Sequence, residues 1–209
     1  MRKLCYIMGA GEPPRNPPQP QEGDLLIAAD GGYAYLEKQS LNPDLVIGDF
    51  DSLGAAPAHP GLVRLNPMKD ETDTLAAIRI GQARGYERFV IYGGTGGRTA
   101  HTMANLQNLV MLAKGGGRGW LVGRDEVFTV VSGGSVRFAA GSQGFVSVFS
   151  MSGESTGVCE TGLKYRLENY TMTNDYPIGV SNEFTGEEAE ISVKKGVLLI
   201  IYTLEARER

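Results

Sequence analysis

Pro43-Asp44-Leu45-Val46-Ile47-Gly48-Asp49-Phe50-Asp51-Ser52 decides how the first half of the chain is read. Leu45 to Ile47 is a short apolar run of the kind that forms a buried strand. It stops at Gly48 and is followed by two carboxylates, Asp49 and Asp51, with one residue between them. In an open α/β sheet, ligands bind outside the carboxyl ends of the strands. Two acids placed there form an anionic site suited to a hard divalent cation and the phosphates it carries. A solvated acidic turn has the same local sequence, so the reading depends on its surroundings.

Upstream, residues 3–9 and Leu25–Ala29 read as two further strands. Between them Glu12-Pro13-Pro14-Arg15-Asn16-Pro17-Pro18-Gln19-Pro20 is too proline-dense for helix interior or central strand and reads as an extended surface loop. The second strand ends in Asp30-Gly31-Gly32, where two glycines let backbone come close to a ligand, and a short helix follows to about Ser40.

Downstream, Leu62–Leu65 is a strand candidate. Lys69-Asp70-Glu71-Thr72-Asp73-Thr74 then opens a helix that runs to Ala83. Asp70 or Thr72 can cap that helix and Asp73 suits its dipole. Asp73 is equally placed to join Asp49 and Asp51, and Lys69 to hold a phosphate. Arg88–Tyr92 is a strand that feeds Gly93-Gly94-Thr95-Gly96-Gly97-Arg98-Thr99 and a helix over residues 100–114, with Met103, Leu106, Val110 and Ala113 on one face. A glycine-rich turn entering a helix presents backbone N–H groups to phosphate. Arg98 adds a planar cationic fork. The turn is not G-x-G-x-x-G, and the chain has no G-x-x-x-x-G-K-[ST], so neither a dinucleotide fold nor a P-loop kinase is indicated. His101, alone in the first turn, reads as structural. Gly119–Gly123 closes this region as a strand.

Past Arg124 the pattern changes. Residues 127–131, 135–139, 145–149, 189–193 and 197–202 are short strand-like runs, several strictly alternating, separated by turns such as Ser132-Gly133-Gly134. The expected fold is α/β plus all-β: an N-terminal Rossmann-like three-layer α/β domain over residues 1–123, followed by a C-terminal β-sandwich domain over residues 124–209.

With 209 residues and a net charge of −4, the chain carries no electrostatic footprint for nucleic acid. No apolar run approaches a membrane span, and the run after Met1 is too short for a secretory signal. Cys5 and Cys159 have neither metal-ligand spacing nor the look of a disulfide framework. A reducing, cytoplasmic setting is expected.

Asp30, Asp49, Asp51, Lys69, Asp73 and Arg98 all fall on one predicted edge of the sheet. Acids, two cations and a glycine loop together describe handling of a magnesium–nucleotide phosphate. The ordered set Asp30-Gly31-Gly32, Gly48-Asp49-Phe50-Asp51-Ser52, Lys69-Asp70-Glu71-Thr72-Asp73 and Gly93-Gly94-Thr95-Gly96-Gly97-Arg98 resembles the thiamine pyrophosphokinase family. Thr161-Gly162-Leu163-Lys164-Tyr165 and Val180-Ser181-Asn182 look like motifs of its β domain, so the resemblance runs from about residue 25 to 204.

The resemblance implies transfer of the pyrophosphoryl group of ATP to the hydroxyl of thiamine, giving thiamine diphosphate and AMP, with Mg²⁺. It also implies a homodimer with shared active sites, in which the α/β domain of one subunit meets the β domain of the other. By position, Asp49, Asp51 and Asp73 would serve metal and triphosphate, and Lys69 and Arg98 would neutralise phosphate charge. Asp30, Gly31, Gly32, Thr72 and Thr95 would line the nucleotide side, and Tyr165, Ser181 and Asn182 would contact thiamine.

One position departs from the family pattern, Gly-Arg-x-Asp-His, where this chain reads Gly97-Arg98-Thr99-Ala100-His101. The missing acid leaves three readings: reduced thiamine turnover, a different heterocyclic alcohol such as a pterin, or a thiamine- or nucleotide-binding homodimer without catalysis. A D-x-D nucleotide-sugar transferase shares the metal logic but predicts no AMP and leaves Ser181-Asn182 unexplained.

Overall fold

Strands with uninterrupted apolar runs belong in a parallel sheet buried on both faces. Cys5–Met8 (β1), Leu25–Ala29 (β2) and Leu45–Gly48 (β3) are buried at every position. With Leu62–Arg64 (β4), Arg88–Tyr92 (β5) and Arg118–Val122 (β6) they lie in the order β6-β5-β1-β2-β3-β4. β1 runs parallel to both β2 and β5, β2 to β3, and β3 to β4. This computed structural model describes residues 3–50, 57–66 and 71–208. Its chain divides into two units, Met1–Asn108 with Gly119–Arg124, and Leu109–Arg118 with Asp125–Arg209.

Among the described residues three helices accompany the parallel strands: Gly32–Lys38 (α1), Asp73–Ala83 (α2) and Thr99–Lys114 (α3). Leu36 of α1 packs with Tyr6, Met8, Leu26, Ala28, Val46 and Phe50. α2 lies on the opposite face, where Gly81 approaches so closely that a Cβ would stand 2.6 Å from the Phe89 ring. Helices on both faces make the three layers expected. Asp44, the first acid of the stretch quoted above, is at the other end of β3 and accepts from the N–H of Leu26 at 2.8 Å, so it anchors the strand entry.

α3 turns differently from the expected face. Its buried residues include Asn105, Leu106, Asn108, Leu109 and Leu112, while Met103 is 51% exposed. Two of the inward positions are asparagines, and a purely apolar period passes over them. The proline segment 12–20 forms neither helix nor strand, as expected, yet Pro14 and Pro18 are buried. Among the described residues no helix is long and apolar enough to cross a membrane.

The second unit is antiparallel β. Its strands are Glu126–Phe138 (β7), Phe145–Ser150 (β8), Glu154–Thr161 (β9), Leu167–Thr173 (β10), Gly179–Glu183 (β11) and Ala189–Thr203 (β12). β12 pairs along its length with β7. On its other side it pairs first with β9, through Glu190 to Lys195, and then with β8, through Leu198 to Tyr202. β10 extends the β9 side and β11 the β8 side.

The turn expected at Ser132-Gly133-Gly134 is therefore a correction. β7 runs straight through it, and the two runs at 189–193 and 197–202 are one strand. The pairing register shifts between Val193 and Val197, with Gly196 at φ +106° and Gly134 at φ +153°. Strands that pass between sheets do so through such bulges. The backbone groups freed there are satisfied by serines: the Ser155 hydroxyl donates to Val197 O at 3.1 Å, and Val197 N–H donates to Ser152 Oγ at 3.0 Å. A Cβ at position 196 would lie 2.6 Å from Ser155 Oγ, so the bend requires glycine.

Candidate active site

The sheet order places the site. β1 is followed in sequence by β2 on one side, while β5 lies on its other side, so the connections leaving β1 and β5 diverge at a topological switch point. The segments after these two strands are zipped together by backbone. Gly9 N–H donates to Tyr92 O at 2.8 Å, Gly11 N–H to Gly93 O at 2.7 Å, and Glu12 N–H to Thr95 O at 2.8 Å. That approach leaves no space for side chains: a Cβ on Gly93, which has φ +61°, would meet Gly9 O at 2.3 Å. Asn105 of α3 holds the turn from below, its amide donating to Gly94 O at 2.9 Å.

Over this floor lies a cleft of about 890 Å³. The loop after β5 lines it from Gly93 to Arg98, β2 brings Ala29 and Asp30, β3 brings Asp49, and the start of α2 brings Glu71, Thr72, Asp73 and Thr74. Three carboxylates of the predicted set, Asp30, Asp49 and Asp73, thus share one cleft with Thr72, Thr95 and Arg98. Local conformation aims two of them. Asp30 holds φ +49°, with its N–H donating to Ile47 O at 2.8 Å. Phe50 holds φ +60° with its ring 3% exposed in the α1-side core, which pins the backbone beside Asp49. Non-glycine residues in left-handed conformation are uncommon and concentrate at functional sites.

Thr72 is the N-cap of α2, its Oγ1 accepting from Leu75 N–H at 3.2 Å, which leaves its hydroxyl hydrogen to donate. Thr95 is 8% exposed, and its Oγ1 is buried with no hydrogen-bond partner among the described residues. A buried hydroxyl left unpaired is costly unless a ligand completes it. Hard oxygen donors, an orphaned hydroxyl, a cationic fork and a glycine turn at the N-terminus of a 16-residue helix suit a phosphate chain and its divalent cation.

Other expected residues are placed differently. Asp51 and Lys69 lie outside the described residues. Gly31 and Gly32 are not among the residues lining the cleft; a Cβ on Gly32 would meet Met8 O at 2.0 Å, so these glycines let α1 start against β1. Among the described residues no three metal-type ligands cluster, and the expected trio includes Asp51. Ala100 is exposed and does not line the cleft, whereas Arg98, His101 and Asn105 do. His101, expected to be structural, lines the cleft, and Asn105 and the Gly9-Ala10-Gly11 segment line it without having been singled out. A glycine pair closing the first strand was the signal available for that segment.

In the second unit Tyr165 is 60% exposed, with Lys164 Nζ 5.4 Å from its ring centroid. Ser181 is exposed at φ +59°, its N–H donating to Ser147 Oγ at 3.0 Å. Asn182 points inward. It is 5% exposed, and its carbonyl accepts from Tyr165 N–H at 3.0 Å and Glu183 N–H at 2.9 Å. Its amide group therefore supports the Tyr165 segment from within rather than facing solvent.

A parallel α/β unit with acids and a glycine turn at its carboxyl edge, followed by an antiparallel β unit, has the make-up of a phosphate-transferring enzyme. The family comparisons agree. Residues 20–118 match the thiamin pyrophosphokinase catalytic domain, and residues 137–198 match the thiamin pyrophosphokinase vitamin B1 binding domain. The chain belongs to the thiamin pyrophosphokinase family. It is 27% identical over 187 residues to a thiamine pyrophosphokinase of Bacillus subtilis (strain 168), covering 86% of this chain and 87% of that protein. A crystal structure of thiamine pyrophosphokinase from Bacillus subtilis superposes with a TM-score of 0.84 at 25% identity, over 97% of this chain and 99% of the other. One from Geobacillus thermodenitrificans gives 0.80 at 26% identity, over 96% and 97%.

Proposed function

We propose that the chain moves the pyrophosphoryl group of ATP as a unit onto the hydroxyl of thiamine, releasing AMP. The observation that carries this reading is the Thr95 hydroxyl, buried with no partner among the described residues, in a cleft that also holds Asp30, Asp49, Asp73 and Arg98. Thiamine's hydroxyl oxygen attacks the β-phosphorus in line, an O–P bond forms, and the bond from the β-phosphorus to the oxygen shared with the α-phosphate breaks. The hydroxyl proton passes to a carboxylate of the cluster, Asp49 or Asp73.

The chain's own task is positioning and charge balance, which dominate phosphoryl-type transfer. The glycine turn and Thr95 hold phosphate oxygens, Arg98 and Lys69 neutralise their charge, and Thr72 donates from the start of α2. Asp49, Asp51 and Asp73 would hold Mg²⁺, which would supply charge neutralisation to the phosphate chain. Tyr165 and Ser181 contact thiamine, with Asn182 in support. The first unit is thus the nucleotide-binding catalytic part and the second the thiamine-binding and dimerisation part, in a homodimer with shared sites in the cytoplasm. Ala100 does not line the cleft, which favours retained thiamine turnover over loss of catalysis.

Incubation with ATP, Mg²⁺ and thiamine, followed by chromatography of nucleotides and thiamine esters, tests the reading. AMP and thiamine diphosphate in equal amounts are expected. Thiamine binding without AMP would overturn catalysis, and AMP only with a different alcohol would overturn the acceptor.

A further inference from the structure

Glu160 lies in β9, 2% exposed, with Leu167 of β10 and Ile191 of β12 as cross-strand neighbours. A carboxyl in such apolar surroundings is unfavourable unless it does something a hydrocarbon cannot. Its Oε2 accepts from the Asn182 amide at 2.9 Å, and its Oε1 is buried with no hydrogen-bond partner among the described residues. Asn182 in turn grips the backbone of Tyr165 on both sides. Its carbonyl takes Tyr165 N–H, and its second amide hydrogen goes to Tyr165 O at 2.6 Å.

An asparagine amide can sit either way round, and its neighbours decide which. Turned over, Asn182 would present its NH₂ to the N–H groups of Tyr165 and Glu183, and its carbonyl to two acceptors. Glu160, an acceptor fixed in a strand, makes that arrangement repulsive. We propose that Glu160 is a positioning residue, acting through Asn182 to hold the Tyr165 segment so that its exposed ring is preset for the thiamine ring system. The substrate part of this inference rests on the assignment of Tyr165 to thiamine made above.

Burial pushes the Glu160 carboxyl up to about 7, and the Asn182 hydrogen bond opposes that rise. The ionised carboxylate makes the stronger, charge-assisted bond to the amide. Ionisable groups on the neighbouring strands are otherwise engaged or exposed. Glu190 of β12 pairs with Arg137 at 3.2 Å and Glu183 of β11 with Lys164 at 2.6 Å. Glu168 of β10 and Lys194 and Lys195 of β12 are exposed, Tyr170 of β10 is half-buried, Tyr202 at the far end of β12 is paired with Glu208, and β8 carries none. Ionisation strengthens the bond to Asn182 but leaves the charge desolvated, which is the larger effect, so an opening that solvates Glu160 becomes easier and protection of Tyr165 falls as pH rises through neutrality.

The test uses the full-length protein and three forms: wild type, Glu160→Leu and Glu160→Gln. Protection of the Tyr165 amide against hydrogen exchange reports the clamp without substrate, and steady-state kinetics report its use. In Glu160→Leu, protection of Tyr165 falls about tenfold and KM for thiamine rises about tenfold, while KM for ATP holds. Glu160→Gln can still accept from Asn182, so it keeps both values near wild type. It loses the pH dependence of Tyr165 protection that the wild type shows between about pH 6 and 8. Unchanged protection in a folded Glu160→Leu protein, or a glutamine variant as damaged as the leucine one, would overturn the inference. Should the leucine variant fail to fold, the pH profile decides, and its persistence in Glu160→Gln is the refuting result. Lost protection with an unchanged KM for thiamine would uphold the clamp and refute the assignment of Tyr165 to thiamine.

Discussion

The cleft of the first unit and the Tyr165 surface of the second are built on opposite plans. The cleft is built from backbone, with glycines packed too closely for side chains, and it leaves the Thr95 hydroxyl without a partner among the described residues. Around Tyr165 the Asn182 amide is saturated by Glu160, Tyr165 and Glu183, and what meets solvent is a ring. A phosphate chain brings many acceptors, so a site for it can wait with donors unsatisfied. An aromatic cation brings few hydrogen bonds, so its site must be rigid beforehand.

The contrast can be broken first at the acids. Asp49→Ala should lower kcat on the order of a thousandfold by removing a group that acts on the reacting phosphates. Circular dichroism should show the fold intact, and near-normal turnover would remove Asp49 from the site. The second test is pH. An acid whose affinity for protons is higher folded than unfolded adds stability that is complete below its unfolded value of 4.5 and is lost as pH rises to about 7. This amounts to about 3 kcal/mol. Urea titrations at pH 4.5 and 8 should show a drop in stability for the wild type that shrinks in Glu160→Gln.

Two polar deletions should then have opposite signs. Asn182→Leu strands the N–H of Tyr165 and the carboxyl of Glu160, and should destabilise by about 2 kcal/mol. Thr95→Val removes a hydroxyl that has no partner among the described residues, so it should stabilise by about 1 kcal/mol while KM for ATP rises. Thermal unfolding without ligands measures both. Equal signs would show that the two regions are not built on different plans.

Much of the first unit was legible because its strands are unbroken apolar runs and its turns carry glycine at backbone contacts. Asp30, Asp49, Asp73 and Arg98 were placed on one edge because strand ends and helix starts of a parallel sheet share a side, and these four line one cleft. The face of α3 was misread because Asn105 and Asn108 point inward. In the second unit, glycines at 133, 134 and 196 look like turns but bend continuous strands. β9, β10 and β11 were unread because their alternation is disguised. Ser155, Glu160 and Asn182 face in, Val180 faces out, and β10 buries Met172 alone. Polar residues inside and apolar ones outside invert the pattern that marks a strand.

The bend at Gly196 has a consequence for how the second unit comes apart. β7 and β12 each serve two sheets, so neither sheet owns its own central pair. Peeling β9 away strips one half of β12, and releasing β8 strips the other. Loss of either exposes strands that the remaining sheet still needs. Unfolding of the paired strands is thereby forced into one concerted event.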